Sequence, residues 1–228
     1  MDCMYPKELV PKFFDNTAAT YDKVVSWATF AKDNYWKNEM LNQIPGGDTF
    51  LDLACGTGIL TRKLAQKFPN SEITGVDITQ SYLDVAKRNS SSFQNISFVC
   101  QDAEKLNLDG KFDCVISSYI PKYCNPKILV RICDKHLNSG GRVILHDFTY
   151  PQNRLVRFLW NAYFVLLNLA GNLIPEWKEA FSELPKLIRA TTWARSYEEE
   201  MKKIGLDVRC KYLTWHSSAI LVGVKYSI

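Results

Sequence analysis

A doubly wound α/β architecture around a mostly parallel seven-stranded sheet follows from three features of this sequence. Short apolar runs alternate with helix-period segments from residue 49 to about 148, a rhythm that parallel sheets with helices on both faces produce. The first of these runs ends in a glycine turn. The last two runs are separated by only a short connection, so they close the sheet as an antiparallel hairpin. A chain of 228 residues is expected to form a single domain, 1–228, that carries an insertion.

The elements follow in order. Residues 5–45 read as helices, with Tyr21, Trp27, Phe30, Tyr35 and Trp36 as aromatic anchors, ahead of the turn Pro45-Gly46-Gly47. Thr49–Ala54 is the first strand. Ile59–Phe68 has helical spacing at Leu60, Leu64 and Phe68. Glu72–Asp77 is the second strand, and Ser81 is placed to cap the helix running to Asn89. Ile96–Cys100 and Phe112–Ser117 are the third and fourth. A helix from Ile128 to His136 leads through the turn signal Asn138-Ser139-Gly140-Gly141 into the strand Arg142–Phe148, which ends the 49–148 core. Residues 152–190 form a helical insertion interrupted at Gly171 and Pro175. The closing segment, 195–228, holds a helix near Glu198–Ile204 and the strands Asp207–Thr214 and Ser217–Lys225.

Composition excludes several classes. Hydrophobic residues at 46% and charged residues at 23% are ordinary for a globular protein and exclude a disordered or collagen-like chain. A net charge of +4, spread along the chain, argues against a nucleic-acid partner and does not repel an anionic membrane. The N-terminal residues lack the basic and apolar regions of a signal peptide. The longest apolar stretch, Phe158 to Gly171, is shorter than the roughly 20 residues of a spanning helix. Seven scattered cysteines without a CxxC pair point to a reducing cytoplasm, with Cys serving as a small hydrophobe. Cys124, Cys133 and His136 offer three donors at irregular spacing on one helix, so no metal site is expected.

The chemistry centres on Leu51-Asp52-Leu53-Ala54-Cys55-Gly56-Thr57-Gly58. Small residues there let the backbone approach a ligand, and the following helix offers unpaired N–H groups. A dinucleotide fingerprint would need a third glycine where Thr61 stands, and a phosphate loop would end in Gly-Lys-Ser/Thr. The acidic Asp52 instead suits a ligand carrying an ammonium group. Asp77, 19 residues after Gly58, is spaced to accept from a ribose diol. Asp102, after the third strand, is placed to accept from an adenine amino group. The plainer alternative for these acids, Asp102 above all, is that they cap helices or turns.

Three strand ends meeting an amino-acid group, a ribose and a base resemble the Rossmann-like class I S-adenosylmethionine-dependent methyltransferases. The resemblance extends from about residue 13 to 225. Phe13-Phe14-Asp15-Asn16-Thr17-Ala18-Ala19-Thr20-Tyr21-Asp22 is similar to the F-D-x-x-A-x-x-Y-D element of the ubiquinone/menaquinone C-methyltransferases. Asp52–Gly58 is similar to their D-L-A-C/G-G-T-G, Leu137–Val143 to their L-K-P-G-G-R, and His146–Pro151 to their L-E-F-S-K-P. The resemblance implies that S-adenosyl-L-methionine is held by Tyr21, Asp52, Ala54, Gly56, Gly58, Asp77, Ile78, Asp102, Ala103 and Ser117. It further implies C-methylation of a prenylated quinol. O- or N-methylation of another small apolar metabolite, and a non-catalytic cofactor-binding regulatory module, are the alternatives.

Two segments depart from that pattern. Where the family has G-x-R-N-V, with an Arg that serves the quinol, this chain has Tyr119-Ile120-Pro121-Lys122-Tyr123. Pro121 faces the Arg, and Lys122 is the nearest replacement cation. The P-E-S-I-R-x-F-P segment is altered to Pro185–Thr192. For the base that a quinol ring requires, Asp147 and His146 at the end of the fifth strand are the candidates. For His146 the alternative is a buried, hydrogen-bonded histidine, and for His216 a turn residue. The helix Arg154–Gly171 is apolar around most of its circumference. It packs in the core or on a second copy as a homodimer, walls the acceptor, or touches lipid as a peripheral membrane contact.

Overall fold

The computed structural model describes residue 7, residues 9–14 and residues 16–226. Cys3, Asp15 and residues 5, 6 and 8 of the N-terminal reading lie outside them. Seven strands, β1 (Thr49–Leu53), β2 (Glu72–Asp77), β3 (Ile96–Cys100), β4 (Phe112–Ser118), β5 (Leu137–Phe148), β6 (Asp207–Leu213) and β7 (Ser218–Val224), form one sheet. Its order is β3-β2-β1-β4-β5-β7-β6. The first five are parallel, and β7 runs antiparallel between β5 and β6. The chain order reverses across β1 and β4, so the strand ends there open a crevice, the usual ligand position in doubly wound sheets.

The helices are α1 (Leu9–Phe14), α2 (Tyr21–Ala28), α3 (Lys32–Leu41), α4 (Ile59–Lys67), α5 (Gln80–Asn89), α6 (Pro126–Lys135), α7 (Arg154–Ala170), α8 (Lys178–Ala190) and α9 (Trp193–Lys203). The period-two alternation of the strands divides the core. Leu51, Leu53, Val115, Val143 and Leu145 pack with Leu129 and Cys133 of α6 and with Trp193, Tyr197 and Met201 of α9. Phe50, Cys114, Ile116 and Ile144 point the other way, onto Trp36, Met40 and Leu41 of α3 and Leu60 and Leu64 of α4. A third cluster, from Phe13 and Val24 to Trp160, Phe164, Trp177 and Phe181, is formed by the N-terminal helices and the insertion.

Several sequence expectations are corrected in detail. Among the N-terminal aromatics Trp36 is buried, whereas Trp27, Phe30 and Tyr35 are exposed. Helix α5 begins at Gln80 with Thr79 in the N-cap position, so Ser81 lies inside the helix. Helix α6 starts earlier than its apolar period suggests. Asn125 Oδ1 accepts from the N–H groups of Lys127 and Ile128, and Pro126 supplies the preset first turn. Helix α9 likewise starts earlier, at Trp193. The Asn138–Gly141 turn is absorbed into β5 as an irregularity, where the register against β4 shifts between Phe112 and Cys114.

Candidate active site

The glycine turn after β1 is shaped by left-handed backbone at Ala54, Gly56 and Gly58, with φ of 53°, 56° and 78°. Gly58 precedes α4, and a Cβ there would meet Ala86 Cβ at 3.2 Å, so only glycine lets the two helices close on the turn. Asp77 fixes this loop from β2. Its Oδ2 accepts from the Gly56 N–H at 2.8 Å and its Oδ1 from the Thr79 N–H at 2.9 Å. From above, Thr57 Oγ1 donates to Asp22 Oδ1 at 2.5 Å. That bond ties the start of α2 to the turn and was not foreseen in the sequence.

Asp52 is buried on the α4 side of β1, where its Oδ2 accepts from Thr61 Oγ1 at 2.6 Å. Burial pushes its carboxyl up to about 7, with Thr61 and the charge of Lys37 opposing the shift. A small side pocket of about 30 Å3 brings Asp52 together with Tyr21, Ala54, Gly56 and Thr57. A carboxylate held so close to neutrality is matched by an ammonium group, which supplies the missing counter-charge.

The main cavity, about 440 Å3, runs from these strand ends under the helical roof. Gly56, Asp77, Ile78, Asp102 and Ala103 line one end. Asp102 caps the 3-10 turn after β3 through the Glu104 N–H at 2.9 Å, which is the capping alternative. It is also paired with Lys7 Nζ, which reaches Glu104 Oε2 at 2.8 Å as well. Ser117 is placed differently from its expectation. It is fully buried with its hydroxyl on the Leu53 carbonyl, and the next residue, Ser118, lines the cavity instead. Much of the remaining lining is aromatic, from Phe14, Tyr123, Phe148, Trp160, Tyr163 and Trp177.

Helix α7 thus has two apolar faces. Trp160, Tyr163, Phe164 and Leu167 turn inward to the cavity. Leu155, Phe158, Leu159, Val165, Leu166 and Leu169 turn outward and are each more than half exposed.

Of the three catalytic candidates, only Lys122 lines the cavity. Its Nζ sits 4.4 Å from the Tyr123 ring centroid and 2.9 Å from Asp147 Oδ1. Asp147 lies behind it and also accepts from the Lys122 and Phe148 N–H groups, at 3.0 and 2.7 Å. Burial raises the Asp147 carboxyl and lowers the Lys122 ammonium, and each charge opposes the other's shift. His146 is also buried, with Ser118 on one ring nitrogen and Ser218 on the other. Sequence reading missed a second buried pair, Asp33 with Lys37 on α3, which accepts the Tyr119 hydroxyl at 2.7 Å. Its i,i+4 spacing was the available signal. Among the described residues no group of three or more His, Cys, Asp or Glu side chains is arranged to hold a metal ion.

A doubly wound sheet with a strand-end acid on a glycine turn, and a neutralisable carboxyl beside it, defines an S-adenosylmethionine-dependent methyltransferase. The chain belongs to the ubiE/COQ5 methyltransferase family, whose pattern it matches over residues 4–225. It is 30% identical over 227 residues to the ubiquinone/menaquinone biosynthesis C-methyltransferase UbiE of Hahella chejuensis, covering 95% of this chain and 91% of that one. It is 26% identical over 233 residues to the demethylmenaquinone methyltransferase of Staphylococcus aureus, covering 96% and 94%. Among solved structures it is similar in fold to a magnesium protoporphyrin IX methyltransferase from Synechocystis PCC 6803 with bound SAH. There the TM-score is 0.65 at 17% identity, covering 96% and 99%.

Proposed function

We propose that this enzyme methylates a ring carbon of a prenylated quinol. The observation that carries this reading is one cavity lined both by the acids at the strand ends and by aromatic and apolar side chains of α7 and α8. The names of its quinone-biosynthesis relatives favour the same acceptor.

The cofactor supplies an activated methyl group on a positive sulfur. Asp77, which holds the glycine turn, would accept from the ribose hydroxyls, and Asp52, beside Tyr21, would pair with the amino group. Ala54 and Gly56, which line the cavity, would permit close backbone approach. Ile78 and Ala103 flank the base, with Asp102 at its edge. The roof of α1, α2, α7 and α8 keeps the cavity dry and aligns the acceptor, the main lever open to a protein here. Lys122 stabilises negative charge developing on the acceptor oxygen. Asp147 acts behind it by keeping the ammonium in place.

The test is mass spectrometry of reactions with S-adenosylmethionine and a reduced demethylnaphthoquinol, a benzoquinol or a catechol. A ring-methylated quinol is expected. Methyl transfer to the catechol oxygen alone would move the assignment to an O-methyltransferase of another apolar metabolite, a reading favoured by Pro121 at the family's Arg position.

We further propose a peripheral membrane location for the enzyme, with the outward face of α7 on the lipid. Among the described residues no helix is long and apolar enough to cross a membrane. The charged residues of α7 are both cationic, Arg154 and Arg157, and exposed Phe30 stands 5.4 Å from the Tyr163 ring at the cavity. Co-sedimentation with phosphatidylglycerol vesicles, lost in Leu166→Glu, is the expected result. A concentration-dependent dimer without vesicle binding would assign the face to a second copy.

A further inference from the structure

The acceptor's hydroxyl proton needs a base, and the carboxylates nearest the chamber are committed elsewhere. Asp147 accepts two backbone bonds and the Lys122 ammonium. Asp33 carries Lys37 and the Tyr119 hydroxyl. His146 is different. Its Nδ1 is 2.9 Å from Ser118 Oγ on β4, and its Nε2 is 2.7 Å from Ser218 Oγ on β7. The ring packs between Trp36 of α3 and Tyr119, with centroids 5.5 and 5.2 Å away. Burial, and then the charges of Lys37 and Lys122, push the imidazole well below its ordinary range.

A neutral imidazole has one N–H and one acceptor nitrogen. With the N–H on Nε2, directed to Ser218, Nδ1 accepts from the Ser118 hydroxyl. Ser118 lines both the main cavity and the side pocket, so its oxygen retains lone pairs for a group bound there.

We propose that Ser118 and His146 form a hydroxyl–imidazole relay that removes the acceptor's hydroxyl proton, an inference that rests on the quinol reading above. The acceptor O–H bond breaks toward Ser118 Oγ as the Ser118 O–H bond breaks toward His146 Nδ1. The electron pair left on the acceptor oxygen flows into the ring and makes the ring carbon nucleophilic. After methylation the ring carbon loses its hydrogen to water, and His146 returns its proton through Ser118 to the oxygen. One proton is released per methyl group transferred, and the relay is restored. Ser118 is the catalytic residue. His146 acts through it as a positioning residue, held on its other ring nitrogen by Ser218.

The test uses Ser118→Ala, His146→Gln and His146→Leu, the last being the residue of the family pattern. First, 4-nitro-1-naphthol is bound to protein saturated with S-adenosylhomocysteine and titrated by its visible naphtholate band. The naphtholate is expected to form on the wild type at least about one pH unit lower than on the variants. Second, kcat on the reduced quinol is expected to fall about 10²-fold or more in each variant, with KM changed less than about threefold. Coincident naphthol titrations in the wild type and all variants would overturn the relay. So would wild-type turnover by Ser118→Ala. If the wild type methylates no quinol, the quinol reading fails, while the naphthol titration still decides the relay.

Discussion

Lys122 Nζ and Asp147 Oδ1 lie 2.9 Å apart, with side chains 2% and 0% exposed, and Lys122 lines the cavity. Removing one partner of such a buried pair strands the other charge, at a cost of about 3–5 kcal/mol. Asp147→Asn is therefore expected to lower the urea midpoint strongly and to reduce turnover through misplacement of Lys122. Lys122→Met with Asp147→Asn together is expected to recover part of the lost stability. Additive losses in the double variant would show that the two charges do not compensate one another.

With Asp52 at the cofactor's ammonium group, as proposed, cofactor affinity is expected to depend on pH. The Asp52 carboxyl titrates near 7 in the free protein, and the ionised form is the one that pairs with an ammonium group. Binding below that pH must expel a proton. Affinity by calorimetry is expected to rise with pH, by up to about tenfold per unit, and to level off above about 7. Asp52→Asn should flatten the profile.

The same group affects the free fold in the opposite sense. A folded pKa of about 7 against an ordinary 3.8 means that the folded state binds more protons in that window. Asp52 thus favours folding fully below pH about 4, and the contribution is lost as pH rises toward 7. Denaturant unfolding of the free protein, compared with Asp52→Asn, is expected to show a pH slope of this sign only in the parent chain.

Asp77 holds the glycine turn and, on the proposed reading, the ribose, so its loss is expected to register in both. Asp77→Ala removes acceptors for the Gly56 and Thr79 N–H groups and for the ribose. A loss of about 1–3 kcal/mol in cofactor binding is expected, read by calorimetry. A separate drop in thermal midpoint of the free protein is expected from the unpaired amides. Unchanged affinity would remove Asp77 from the cofactor site.

The sheet was legible because its strands are short apolar runs with period two, and the bounds of β2 and β3 are those expected. The acids near the strand ends were legible because each stands at or within two residues of the end of such a run. Helix starts were less so, since Asn125 and Pro126 begin α6 before its apolar period becomes visible. The site's polar partnerships were hidden for a different reason. Asp22 with Thr57, Asp33 with Tyr119, and Lys122 with Asp147 join residues 25 to 86 positions apart. No local pattern encodes such contacts. Ser117 and Ser118 show how fine the limit is: neighbours on one strand face opposite sides, so an error of one residue exchanges a sheet-bound hydroxyl for a cavity-lining one.

The place of β7 between β5 and β6 has a consequence for biogenesis. Synthesis proceeds from the N-terminus, so β1 to β5, with the glycine turn and its acids, emerge before the strand that completes their neighbour. Ser218, the second partner of His146, is the first residue of β7. A nascent chain can therefore present the nucleoside-facing half of the site while β5 still has a bare edge and the His146 ring has one hydroxyl. The His146 ring thus gains its second hydroxyl partner only after almost all of the sequence has been made.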